Sequence, residues 1–133
     1  MTWLRVVALG FLVLVFGNPS PSPAGTIPNT QLHHQATLVT TTQIMVGVDF
    51  VCQEGTTTSV FAQASQPNAG LPDTNGSGFT FDLLATGQRQ TAAVLVTAFS
   101  GVWSIGDATA TASVFCGGGA FGRDSGKIVI DLP

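Results

Sequence analysis

The chain has 133 residues, enough for one domain of ordinary size, and only 8% of them are charged. Four Lys and Arg against seven Asp and Glu leave a formal charge of −3, which makes nucleic acid and anionic membrane surfaces poor partners, since both demand clustered basic side chains. A chain that is 44% hydrophobic and so lightly charged must wet its surface with Thr, Ser, Gln, Asn and backbone, a composition suited to sheets.

The first element expected is a signal peptide over residues 1–24. Arg5 precedes the apolar run VVALGFLVLVF (Val6 to Phe16), and GNPSPSPAG follows with small residues at Ser22 and Ala24. A helix over that run would rise about 16 Å, well short of a bilayer core of about 30 Å, and Pro19, Pro21 and Pro23 oppose its extension. Cleavage is expected after Ala24, giving a secreted protein that is not held at a membrane. No cysteine stands nearby to carry a lipid. Loss of Arg5 takes the formal charge of the remainder from −3 to −4.

Residues 25–35 read as a flexible leader. His33 and His34 lie there side by side, and adjacent side chains on an extended chain face opposite ways, so no metal site is expected of them. From Ala36 onward the apolar residues recur with period two, the pattern of half-buried strands. A strand is predicted over Ala36–Thr41. In QIMVGVDFVC the inward set is Ile44, Val46, Val48, Phe50 and Cys52; Glu54 and Gly55 follow in a solvated turn. Thr57–Ala64 directs Val60, Ala62 and Ala64 to one side. QPNAGLPDTNGSG, Gln66 to Gly78, is dense in Pro, Asn, Asp and Gly and is predicted to be a long loop. Its Asn75-Gly76-Ser77 matches a glycosylation acceptor, with no use expected in a chain of bacterial-style composition.

Phe79–Leu84 sets Phe79, Phe81 and Leu83 on one face, and TAAVLVTAF, Thr91 to Phe99, is apolar in both phases, as a central strand can be. Trp103 stands in the connection FSGVWSIGD. It can plug the open end of the fold or serve as an exposed platform for a sugar or a protein, which makes it a candidate binding residue. DATATASVFC turns Ala108, Ala110, Ala112, Val114 and Cys116 inward, and KIVIDL turns Ile128, Ile130 and Leu132 inward.

Between these last two strands lies CGGGAFGRDSGK. A phosphate-binding loop would need glycine where Phe121 stands, Ser or Thr where Ile128 stands, and a helix afterwards instead of a strand. Asp124-Ser125-Gly126 has the look of a protease nucleophile region, but that fold needs a second barrel and a paired His, for which the chain lacks the length. The acidic residues are scattered singly, against a paired-carboxylate site. Gly117 to Gly126 therefore reads as a hairpin connection, with Phe121 available as a lid over the edge or as a second candidate binding residue. No catalytic residue and no cofactor is assigned, and the chain is not expected to be an enzyme.

Seven strands in about 100 residues must bury one face each, and two sheets packed face to face are the usual solution. The expectation is all-β: an immunoglobulin-like antiparallel β-sandwich over residues 36–133, with a closed barrel as the second choice. Cys52 and Cys116 both end inward-facing phases and, in an exported chain, are expected to form a disulfide closing a loop of about 65 residues, worth roughly 4 kcal/mol.

VDFVC, TGQRQTAAVLVTAF with its following Trp turn, IGDATATASVFC and GKIVIDL together resemble small exported actinobacterial immunoglobulin-like β-sandwich proteins of unassigned function, over about Gln43 to Leu132. Many of those carry further cysteines, absent here. DTNGSGFTFDL and the Thr/Ala/Gly-rich composition are more distantly similar to neocarzinostatin-type apoproteins, which implies a carrier of a small apolar ligand. The functional expectation is a monomeric, non-catalytic interaction module with an extracellular or cell-wall partner. The alternatives are the small-molecule carrier, which needs a lined concave pocket, and a carbohydrate-binding module, which needs a flat exposed aromatic strip.

Overall fold

A computed structural model describes residues 29–68 and 71–133; the signal-peptide helix expected over residues 1–24 lies outside them. Seven strands account for most of the described chain: β1 (Gln31–Thr40), β2 (Gln43–Phe50), β3 (Thr57–Asn68), β4 (Leu71–Leu84), β5 (Gln90–Ser100), β6 (Gly106–Cys116) and β7 (Phe121–Asp131). The period-two pattern is realised directly. Val60, Ala62 and Ala64 on β3, Ala92, Val94 and Val96 on β5, and Ala108, Ala110, Ala112 and Val114 on β6 are all buried, while their odd-numbered neighbours line the outside.

The expected immunoglobulin-like sandwich is corrected to a closed barrel, with strands in the order β1-β2-β5-β4-β3-β6-β7. A sandwich of that kind would divide these strands into β1-β2-β5-β4 and β3-β6-β7. Hydrogen bonds cross both lines of division. On one side β1 pairs in parallel with β7, Gln35 to Thr37 against Val129 to Asp131. A bulge between Leu32 and Ala36 swings β1 off a simple hairpin with β2, so that Ala36 partners both Val46 and Ile130.

On the other side β3 and β4 pair along most of their length, and β4 also meets β5 over Asn75 to Ser77. The short β4–β5 ladder depends on glycine. A Cβ on Gly78 would fall inside the Leu95 carbonyl, and one on Gly76 would stand 2.6 Å from the Thr97 carbonyl and 2.8 Å from the Trp103 ring. Small inner residues help as well, because the run of alanines inside β3 and β6 leaves room for a seven-stranded interior to be filled by side chains.

Three further boundaries differ from expectation. Gln66 to Gly78 is not a loop: β3 runs to Asn68 and β4 starts at Leu71, with Pro67 accommodated at a bulge between Gln66 and Asn68 and the glycines used for the close approach to β5. Residues 31–35, placed in the flexible leader, belong to β1. At the other end β7 begins at Phe121, so the hairpin connection is shorter than Gly117 to Gly126, and Leu132, expected inside, is 64% exposed beyond the strand.

The two ends of the barrel are closed differently. At one end the Cys52–Cys116 disulfide, expected from the phase of the sequence, joins the segment after β2 to the last residue of β6 with a Cα–Cα distance of 5.7 Å. Phe50, Ala85 and Ala120 are buried around it. At the other end Trp103 is 2% exposed, and its backbone N–H donates to the Thr41 carbonyl at 2.7 Å.

Candidate functional site

Of the two candidate binding residues, Trp103 is the buried plug at the second end. Its loop is strapped down by two buried polar side chains. Gln66 accepts from Ser104 N–H at 2.9 Å and donates back to the Ser104 carbonyl at 2.9 Å, and the Thr74 hydroxyl donates to the Val102 carbonyl at 2.6 Å. The ring is thus in the core and unavailable as a platform, while its Nε1–H finds no acceptor among the described residues.

Phe121 lies elsewhere and has company. Strand register lays out two rows across the outside of β4, β3, β6 and β7. In the first, Phe79 pairs with Phe61, Phe61 with Ser113, and Ser113 with Arg123. In the second, Ser59 pairs with Phe115 and Phe115 with Phe121. Opposite Ser59 the β4 strand carries a bulge, where Phe81 and Asp82 stand between the Thr80–Val60 and Leu83–Thr58 pairs. Asp82 is there with φ 57°, a backbone conformation that costs most residues energy and that Asp tolerates better than most.

The rings form two touching groups. Phe61 and Phe79 have centroids 4.5 Å apart, Phe79 and Phe81 are stacked at 5.2 Å, and Phe115 and Phe121 meet at 4.9 Å. Arg123 caps one margin, its guanidinium 5.7 Å from the Phe121 centroid. Phe79, Phe81, Phe115 and Phe121 are 56, 62, 47 and 41% exposed, so this is an outer surface and Phe121 is not a lid over an edge. A polar row borders it towards the Trp103 end, where Gln63 pairs with Ser77 and Thr111, and Thr111 exchanges a hydroxyl hydrogen bond of 3.2 Å with Ser125.

Two concave features lie outside this face. A groove of about 250 Å³ on the same side of the barrel is walled by Gln63, Ser65, Asn75, Thr109, Thr111 and the ring of Phe99. An apolar recess of about 510 Å³ lies beside Leu71, Pro72 and Val102 at the Trp103 end. The barrel interior itself is filled by side chains.

A polar cluster decorates the opposite side, on β1, β2 and the start of β5. Asp49 accepts from Thr91 Oγ1 at 2.5 Å, meets His33 Nε2 at 2.8 Å and Arg89 at 3.4 Å. Burial by itself would raise the Asp49 pKa, but the Thr91 and His33 hydrogen bonds and the charges of His33 and Arg89 outweigh it and hold the carboxyl below its ordinary value. His33 and His34 do diverge, the latter bonding the Lys127 carbonyl at 3.0 Å. Among the described residues no three His, Cys, Asp or Glu side chains gather as a metal-ligand group. The cluster ties β1 to β2 and β5, and Asp124 does the same from β7 by accepting the Leu32 N–H at 2.8 Å.

The aromatic face was partly foreshadowed in the sequence. Once Val60, Ala62 and Val114 are assigned inward, Phe61 and Phe115 must point out. Their convergence with Phe79, Phe81, Asp82 and Arg123 depends on pairing register and on the β4 bulge, neither of which a strand-by-strand reading supplies.

No family model and no curated protein matches the chain. Among solved structures it is similar to the crystal structure of Spo0M, a sporulation control protein from Bacillus subtilis, at 7% identity and a TM-score of 0.39, over 80% of this chain and 49% of that one. The chain thus spans about half the length of that protein, and a likeness at this level carries no argument about function.

Proposed function

We propose that this chain is a secreted or cell-surface, non-catalytic interaction module that docks a protein partner through the outer aromatic face of β4, β3, β6 and β7. The observation that carries this reading is the gathering of five Phe rings from four strands on one solvent-facing surface. Four of them are 41–62% exposed and at 150–250 Å² per ring leave about 300–500 Å² of apolar surface in water, in the size range of functional patches on monomeric proteins. The disulfide supports a non-reducing environment, and among the described residues no helix is long and apolar enough to cross a membrane.

The rings favour a protein over a sugar. Phe79 and Phe81 are stacked on one another, which takes up ring faces that a sugar would need, and phenyl groups offer no hydrogen bonds to its hydroxyls. The carbohydrate alternative draws instead on the polar groove, where Phe99 is 74% exposed beside amide and hydroxyl side chains. A panel of immobilised extracellular proteins, with this protein among them, and of cell-wall glycans separates the two. Binding on the protein panel should weaken at least tenfold in Phe79→Ser or Phe121→Ser and be unchanged in Phe99→Ala. Glycan binding lost in Phe99→Ala, or protein binding indifferent to both face variants, would overturn the reading.

A further inference from the structure

The face carries opposite charges on opposite margins. Asp82 sits on β4 at the bulge, and Arg123 sits on β7 at the end of the neighbouring row, with two strands between them. Consider a two-fold axis that runs parallel to the strands and lies between two copies placed face to face. It lays β7 of each copy over β4 of the other. Arg123 then comes over the exposed Phe79 of the second copy and within a row of its Asp82, Phe121 comes over Phe81, and Phe115 comes over the half-buried Ser59. The alternative axis, perpendicular to the strands, sets β4 on β4 and brings the two Asp82 side chains to the same edge with no cation near them.

The area agrees with such a pair. About 300–500 Å² of ring surface per copy gives roughly 600–1,000 Å² for two, at or under the lower bound for a specific protein interface and the size expected of a weak, reversible dimer. Closed symmetric pairs with an isologous patch are the commonest soluble assembly, and a patch holding both members of a complementary charge pair is suited to one.

We infer that the partner docked on the aromatic face is a second copy of this chain, in a two-fold pair that sets Arg123 of each copy against Phe79 and Asp82 of the other. The inference rests on the docking reading above and replaces the monomer expected from the sequence. Sedimentation velocity of the disulfide-bonded protein, from micromolar to near-millimolar concentration, should show reversible monomer–dimer exchange. Phe121→Ser should weaken it at least tenfold.

The charge arrangement has its own test. Arg123→Glu alone and Asp82→Lys alone should each dissociate at least tenfold more readily than the unmodified chain, whereas an equimolar mixture of the two should form a heterodimer, because both cross-copy contacts are then again of opposite sign. The double variant should also pair with itself. Thermal unfolding of each variant checks that Lys at the positive-φ position still folds; if it does not, Arg123→Glu mixed with Asp82→Asn should still pair better than Arg123→Glu alone. Monomer at every concentration, or association unchanged by Phe121→Ser and Arg123→Glu, would overturn the inference, as would charge variants that fail to recover on mixing. A monomeric chain that still captures another extracellular protein in a Phe79-dependent way would overturn self-pairing and leave the docking reading intact.

Discussion

Two residues, Trp103 and Asp49, separate packing from electrostatics in this protein. Trp103 is buried with an indole N–H that has no acceptor among the described residues. Trp103→Ala should cost about 3–5 kcal/mol by emptying the end of the barrel. Trp103→Phe removes the orphan donor along with part of the ring and should cost less than about 2 kcal/mol, measured by denaturant unfolding; equal costs for the two would mean that the ring is not the plug. At Asp49 the folded state depresses the carboxyl pKa, so its contribution is present above the ordinary carboxylate value and is lost as the pH falls through that value and below. Asp49→Asn should therefore lower stability by about 1 kcal/mol at neutral pH, with Arg89 contributing little because it is exposed and screened. That deficit should shrink in unfolding curves taken at progressively lower pH, and a deficit independent of pH would contradict the charge-based account. Trp103 could be recognised from the sequence as plug or platform, but only the straps from Gln66 and Thr74 decide between them.

At the level of the strands, closure of the barrel rests on the brief β4–β5 ladder and on the backbone contact that Gly78 allows. Gly78→Ala should cost about 3 kcal/mol, since the added methyl can only be accommodated by parting β4 from β5. Amide hydrogen exchange should then rise at Asn75 to Ser77 and at Thr97 to Ser100 before it rises in β3 or β6; uniform acceleration would mean that the seam is not a separate unit. Across the barrel, reduction of Cys52–Cys116 releases a closure spanning 64 positions in sequence and should lower unfolding stability by roughly 4 kcal/mol. The inward direction of both cysteines was legible from phase, as were the inward sets of β2, β3 and β6, and their pairing followed from the count of two in a chain expected to be exported. The extent of β4 was not, because Pro72, Gly76 and Gly78 are turn formers by local preference, and the two glycines are held extended here by close approach to β5. The start of β1 was missed for a related reason: its bulge breaks the alternation between Leu32 and Ala36.

For the whole molecule, an all-β fold of seven strands followed from periodicity, whereas open sandwich against closed barrel turned on three parallel pairs between β1 and β7 and on the long antiparallel pairing of β3 with β4 through the turn-like segment. Those contacts join residues far apart in the chain or hidden in a turn-like segment, and local pattern does not encode them. The same limit applies to the candidate site: Phe121 stood out as a lid or a candidate binding residue, but the surface around it is assembled by register from four strands. If that surface is where two copies of this chain pair, its rings should report occupancy directly. Aromatic-region NMR spectra of the disulfide-bonded protein, recorded from micromolar to millimolar concentration, should show shifts that grow together at Phe61, Phe79, Phe81, Phe115 and Phe121, with buried Phe50 and outlying Phe99 unchanged. Shifts confined to Phe99 and the neighbourhood of Trp103, or spectra that do not change with concentration, would contradict the account.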